Sequence, residues 1–191
     1  PQETTEVALK MNLPAGADPV DVDLFNPDDP LTYNAATSVT VFDTLGDSHV
    51  MTYFFMKDVA AAGNEWVGVT YLDGLPLETE GDTPGIGAAG ATGPNVVGET
   101  SLGAGSGVSG FRMVFSNGGD FQSTQNSDGT SIATGDLQSI PIGATILTNG
   151  SDPTQAITTN FALDSVNATP NEPTQFASAF EVTSLEQNGL P

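Results

Sequence analysis

The chain has 191 residues, 38% of them hydrophobic, which is enough to bury a core and argues against wholesale disorder. Its 24 acids face only Lys10, Lys57 and Arg112, a formal net charge of −21, so it cannot displace counterions from nucleic acid or hold an anionic membrane. It contains no cysteine, hence no disulfide frame and no thiol chemistry, and its 22 Gly and 13 Pro among many Thr, Ser and Asn favour short strands joined by turns.

Residues 4–13, TTEVALKMNL, place Val7, Leu9, Met11 and Leu13 on one face and Glu6, Lys10 and Asn12 on the other, the alternation of a half-buried strand. The run that follows, PAGADPVDVDLFNPDDP, is too rich in Pro and Asp to sustain a ladder. Residues 37–43 (TSVTVFD) and 48–57 (SHVMTYFFMK) then form the strongest hairpin signal, with Gly46 in DTLGD where a left-handed backbone is needed. The second of these strands is apolar on both faces and should be central. Residues 65–72, EWVGVTYL, read as the next strand.

From Glu78 to Gly110 strand patterning stops, and ten glycines fall between Gly81 and Gly110. Within them GIGAAG, Gly85 to Gly90, has the G-x-G-x-x-G spacing of a dinucleotide-binding loop. That loop needs a strand before it and a helix opening within it. Here LETEGDTP precedes it, Gly93 and Pro94 follow, and no Lys or Arg lies between Lys57 and Arg112 to meet a phosphate. The spacing is accidental.

Strand patterning returns at 111–115 (FRMVF), before the turn SNGGD and Phe121. Residues 140–147 align Ile140, Ile142 and Ile146; residues 156–163 align Ile157, Thr159, Phe161 and Leu163; a last strand falls within 176–184. The sum is an all-β fold, an antiparallel flattened β-barrel or sandwich of about eight to ten short strands with a glycine-rich loop insertion at about 78–110. No apolar run reaches the length of a membrane span.

Chemistry-bearing constellations are few. His49 is the single histidine, and Ser48 beside it points to the opposite face of a strand, so a Ser48–His49–Asp43 triad does not assemble; His49 reads as a satisfied strand histidine beside a turn. Zinc would need more His or Cys. Asp18, Asp21, Asp23, Asp28 and Asp29 could supply oxygen ligands to calcium, but no EF-hand spacing orders them. They motivate an alternative reading, a secreted β-sandwich binding module of an adhesin, for carbohydrate or calcium. No two acids are singled out as a glycosidase pair, and Trp66, Tyr33, Tyr53 and Tyr71 read as core or strand-pair residues. Neither an enzyme nor a cofactor site is expected.

The run YNAATSVTVFDTLGDSHVMTYFFMKD, residues 33–58, followed by NEWVGVTYLDG, residues 64–74, resembles the bacterial flagellar hook protein family. The positions that carry the resemblance include Tyr33 and Asn34, the Val39 to Val41 strand, Phe42, Asp43, Thr44 and Gly46 in the turn, His49, the aromatic strand ending at Lys57, and Asn64 with Trp66. The opening TTEVALKMNLPAGADPV and the tail VTSLEQNGLP are similar to that family's entry into and exit from its second domain; residues 78–139 depart from its pattern. The resemblance implies that residues 1–191 are one outer domain of a hook subunit, a structural part of the extracellular curved filament that transmits motor torque. It implies structural roles for Tyr33, Asn34, Asp43, Gly46, His49 and Trp66, and no catalysis. It further implies a homopolymer of hook subunits, contact with the hook cap and export apparatus during assembly, export by the flagellar type III pathway, and a monomer for the isolated piece in dilute solution. The chain opens at Pro1 without Met or signal peptide and ends at Pro191, as a piece of a longer protein would. An inserted domain needs both connections at one end, so the first and last strands should be neighbours in one sheet.

Overall fold

The computed structural model describes residues 1–59, 61, 63–77, 111–125, 131–132, 137–139, 141–161 and 173–191. Among these, the strands are β1 (Glu6–Asn12), β2 (Ala35–Phe42), β3 (Ser48–Lys57), β4 (Asn64–Leu72), β5 (Leu75–Pro76), β6 (Phe111–Phe115), β7 (Phe121–Gln125), β8 (Ser131–Ile132), β9 (Leu137–Gln138), β10 (Thr158–Asn160) and β11 (Glu181–Gln187). One 3-10 turn, Val22–Leu24, is the sole helix among them. The architecture is all-β, two sheets packed as a sandwich.

The larger sheet runs β2-β3-β4-β6-β7-β8, with β5 hairpinned onto β4, and all its pairs are antiparallel. The smaller runs β11-β1-β10-β9. β1 pairs antiparallel with β11 and parallel with β10, so one parallel pair interrupts the expected antiparallel pattern. The first and last strands do lie side by side, and Gln2 and Leu190 continue the pairing with two mutual main-chain bonds of 2.8 Å.

Period-2 patterning explains the layers. Val7, Leu9, Met11 and Leu13 from β1 and its exit meet Tyr53, Phe55, Trp66, Phe111, Met113 and Phe115 of the larger sheet, all 3% exposed or less. The intervening residues of β3 and β4, namely Phe54, Met56, Val67, Val69 and Tyr71, form a second apolar cluster on the opposite face, closed by Val22 and Phe25. β3 is therefore central, as its doubly apolar sequence requires. The Pro- and Asp-rich run is the lid over that outer face, and Phe25 lies 5.3 Å from Phe54 and 6.1 Å from Tyr71.

Three strand assignments need correction. Residues 141–147 are a turn, not a strand: Pro141 has no N–H to give a ladder, and Gly143 sits at φ +82 with the Leu147 N–H bonded back to its carbonyl. The 156–163 strand contracts to Thr158–Asn160, although Ile157, Thr159 and Phe161 do share a buried face. The last strand begins at Glu181, later than the 176–184 window suggested. Ile140, Leu163, the GIGAAG run and the glycine-rich insertion lie outside the described residues.

Gly68 in β4 marks a close approach. The Phe111 ring lies over it in the paired strand, and an added Cβ would collide with ring carbons. Gly68→Ala is expected to lower stability by about 1–3 kcal/mol through overpacking, read as a lower urea midpoint at unchanged slope. A variant as stable as the parent would mean that the ring moves aside freely.

Candidate functional site

The six residues singled out in the sequence fall into three places. Tyr33 and Asn34 end the lid and begin β2. The Tyr33 ring packs edge-on against Phe54 at 5.0 Å, so it belongs to the outer cluster. Asn34 terminates the β2–β3 ladder with its side chain: Oδ1 accepts the Lys57 N–H at 2.7 Å, and Nδ2 donates to the Asp18 carbonyl at 2.8 Å, tying the lid to the sheet. Trp66 is fully buried in the inter-sheet core, and its Nε1–H has no hydrogen-bond partner among the described residues.

Asp43, Gly46 and His49 meet at the β2–β3 turn. Gly46 has φ +88, and a side chain there would press on Pro1 and Pro191. Asp43 Oδ1 accepts the N–H groups of Leu45 and Asp47, each at 2.9 Å, closing the turn. Its Oδ2 receives Asn149 Nδ2 at 2.6 Å and His49 Nε2 at 3.2 Å. The other ring nitrogen, His49 Nδ1, lies 2.7 Å from Asp73 Oδ2. Asn149 Nδ2 also donates to Asp47 Oδ2 at 2.7 Å. Asp73 belongs to the tight Asp73-Gly74 turn joining β4 to β5, with φ of +49 and +79.

Burial alone would raise the Asp43 pKa. Hydrogen bonds from Asn149, from His49, from the Asp47 N–H and from Ser151 outweigh it and hold the carboxyl well below the usual carboxylate range. For His49, burial disfavours the charged ring, but hydrogen bonds and charge from Asp73 and Asp43 prevail and raise its pKa. With both nitrogens against carboxylates, the ring has no lone pair free to take a proton from a substrate, and Ser48 is exposed on the other side. The cluster acts as a clamp joining the β2–β3 turn, the β4–β5 turn and the 149–151 loop.

Beside the clamp, a second network holds the chain ends. Thr4 exchanges two bonds with Phe42: its N–H donates to the Phe42 carbonyl and its Oγ1 accepts the Phe42 N–H, both at 2.9 Å. Thr4 Oγ1 also donates to Gln187 Oε1 at 2.8 Å, and Gln155 Nε2 donates to the carbonyls of Thr4 and Phe42. Asn188 Oδ1 accepts the N–H groups of Thr5 and Glu6. Entry, exit, hairpin turn and the loop before β10 are thus one polar junction.

Sequence reasoning missed Asp73 and Asn149. The Asp-Gly dipeptide between TYL and LPL was the usable signal for the first; nothing local marks the second. In the acidic segment, Asn26 Oδ1 accepts the Asp28 N–H and Asp29 Oδ1 the Leu31 N–H, so these side chains form turns. Among the described residues no three His, Asp or Glu side chains are placed to hold a metal ion.

The family model "Flagellar basal body protein FlaE D2 domain" matches residues 12–190 of the chain. Among solved structures, a 32 kDa fragment of the flagellar hook protein FlgE from Caulobacter crescentus is similar at 14% identity and a TM-score of 0.44. That likeness covers 82% of this chain and 46% of the fragment, so the chain spans about half the fragment's length. No curated protein matches the chain.

The clamp sets a pH dependence. A raised histidine pKa contributes stability that is complete below the unfolded value of 6.5 and is lost as pH rises through the folded value. The lowered Asp43 pKa contributes stability present above its unfolded value of 3.8 and lost as pH falls through the folded one. Raising the pH from about 5.5 to about 9 should lower the melting temperature of the parent more than that of His49→Gln. Equal slopes for the two chains would remove His49 from the account.

Proposed function

The chain belongs to the flagellar basal body protein FlaE D2 domain family, and from that we propose that it is a structural component of the bacterial flagellar hook. The family is a structural one and not an enzyme family; the match over residues 12–190 carries the reading. Residues 1–191 form one outer domain of a hook subunit, set into a longer chain and making lateral contacts with neighbouring subunits in a homopolymer. Its place is the extracellular hook, reached by the flagellar type III route, with the hook cap and the export apparatus as partners during assembly.

The strand pairing supports this reading. Both connections leave from one junction, where β1 lies against β11 and Gln2 against Leu190, as a domain inserted between two halves of another requires. The junction is stiffened by polar contacts of Thr4, Gln155, Gln187 and Asn188. A domain held in that way moves as a body when load passes through its connections. Tyr33, Asn34, Asp43, Gly46, His49 and Trp66 serve as its frame: lid anchor, ladder end, turn, clamp and core.

Deleting these residues in frame from the full-length gene is expected to leave export working but to give hooks that are missing, straight or mechanically faulty, read by electron microscopy and swimming assays. Normal hooks with normal motility would overturn the proposal.

A further inference from the structure

β2 is an edge of the larger sheet, and β11 of the smaller sheet lies near it without pairing to it. In β2 the odd residues from Ala35 to Val41 bond to β3, because the ladder continues from the Asp43 N–H bond to the Asp47 carbonyl in an unbroken register. The even residues therefore turn their N–H and C=O outward. At Phe42 these groups are taken by Thr4 and Gln155. At Ala36, Ser38 and Thr40, all exposed, no described residue pairs with them.

Edge strands are commonly blunted by charge, proline or a bulge. β11, the edge of the smaller sheet, carries Glu181 and Glu186 and meets β1 through a register shift. β2 has none of these devices. No charged residue occurs from Pro30 to Phe42, in a chain with a net charge of −21. The outward groups are also symmetric about Ser38, two residues to Ala36 and two to Thr40. This edge is therefore complementary to itself, and it is a place where two such acidic chains can approach without setting carboxylates face to face.

We propose that the β2 edge is a self-pairing surface, on which a second copy of this chain lays its own β2 antiparallel. Ser38 then faces its twin, Ala36 faces Thr40 of the second copy, and about six main-chain hydrogen bonds join the two sheets into one. Such a contact is a closed twofold. It cannot propagate head to tail, so it serves the unassembled chain and stands apart from the hook reading. Acidic repulsion opposes it, and salt relieves that repulsion.

Sedimentation velocity of this chain at about 1 mM tests it, with salt raised from about 0.05 M to about 0.5 M. The parent is expected to shift from monomer toward dimer as salt rises. Ser38→Pro, which removes an outward N–H, and Thr40→Lys, which puts a charge on the edge, should stay monomeric, with circular dichroism and melting temperature reporting an intact fold. Val59→Lys makes the same charge change at a site 58% exposed and outside β2, and should dimerise like the parent. A parent that is monomeric at every salt, a dimer retained by either edge variant, or open-ended oligomers would overturn the proposal.

Discussion

β3 is buried on both faces, and the rest of the structure follows from that constraint. Tyr53 and Phe55 face one way and Phe54 and Met56 the other, each 8% exposed or less. A lone sheet would leave both of these pairs in water, at roughly 1.5–3 kcal/mol for each large side chain. Two covers are needed. The smaller sheet supplies the first through β1, and the Tyr53 hydroxyl reaches Thr159 of β10 at 2.6 Å, so that the buried phenol is satisfied across the layers. Burial drives the Tyr53 pKa well above its ordinary value, which keeps the group neutral there. The lid supplies the second cover with Val22, Phe25 and Tyr33, although it is rich in Pro and Asp.

The lid shows how a polar segment does an apolar job. Asn26, Asp29 and Thr32 bond to nearby main chain and hold the loop in turns, and the Val20 N–H donates to the Lys57 carbonyl at its entry. With its ends fixed by Val20 and Asn34, the loop can present Phe25 and Tyr33 to the outer face without a strand or long helix. Turn chemistry and core chemistry are interleaved in one stretch, and Asp29, one of its acids, helps to shape it.

Legibility in the sequence followed the range of the forces involved. β3 begins at Ser48 and ends at Lys57 as its pattern indicates, and β6 coincides with FRMVF, because period-2 alternation is a local signal. The Gly46 turn was legible for the same reason. The 140–147 run shows the limit: its isoleucine spacing mimics a strand, yet Pro141 and Gly143 decide the backbone while Ile142 and Leu147 still reach the core. The parallel partner of β1 is chosen 152 residues away, as from Ala8 to Asn160, and no local pattern encodes it. The clamp divides similarly. Asp43 and His49 are six residues apart on one hairpin, whereas Asp73 and Asn149 arrive from separate elements.

The scarce cations complete the physical picture. Arg112 on β6 bonds Asp58 at 2.7 Å and Glu65 at 3.3 Å, with its own side chain 14% exposed and that of Asp58 only 3%. Both groups are taken out of water to make this contact, so it specifies strand alignment more than it adds net stability. Lys57 donates to the Ala15 carbonyl and so ties β3 to the lid. Two of the three cations thus hold the domain together from within. A surface so dominated by carboxylates has little to offer a neighbouring copy in the way of salt bridges. Any contacts between copies would then fall to hydroxyls, main-chain groups and apolar side chains such as Leu31, which is 85% exposed. Contacts of that kind are weak one by one and can be broken and remade at low cost. On the proposed reading, that is the requirement in a curved rotating filament: a stiff unit held by its own network, and a boundary that yields before the unit does.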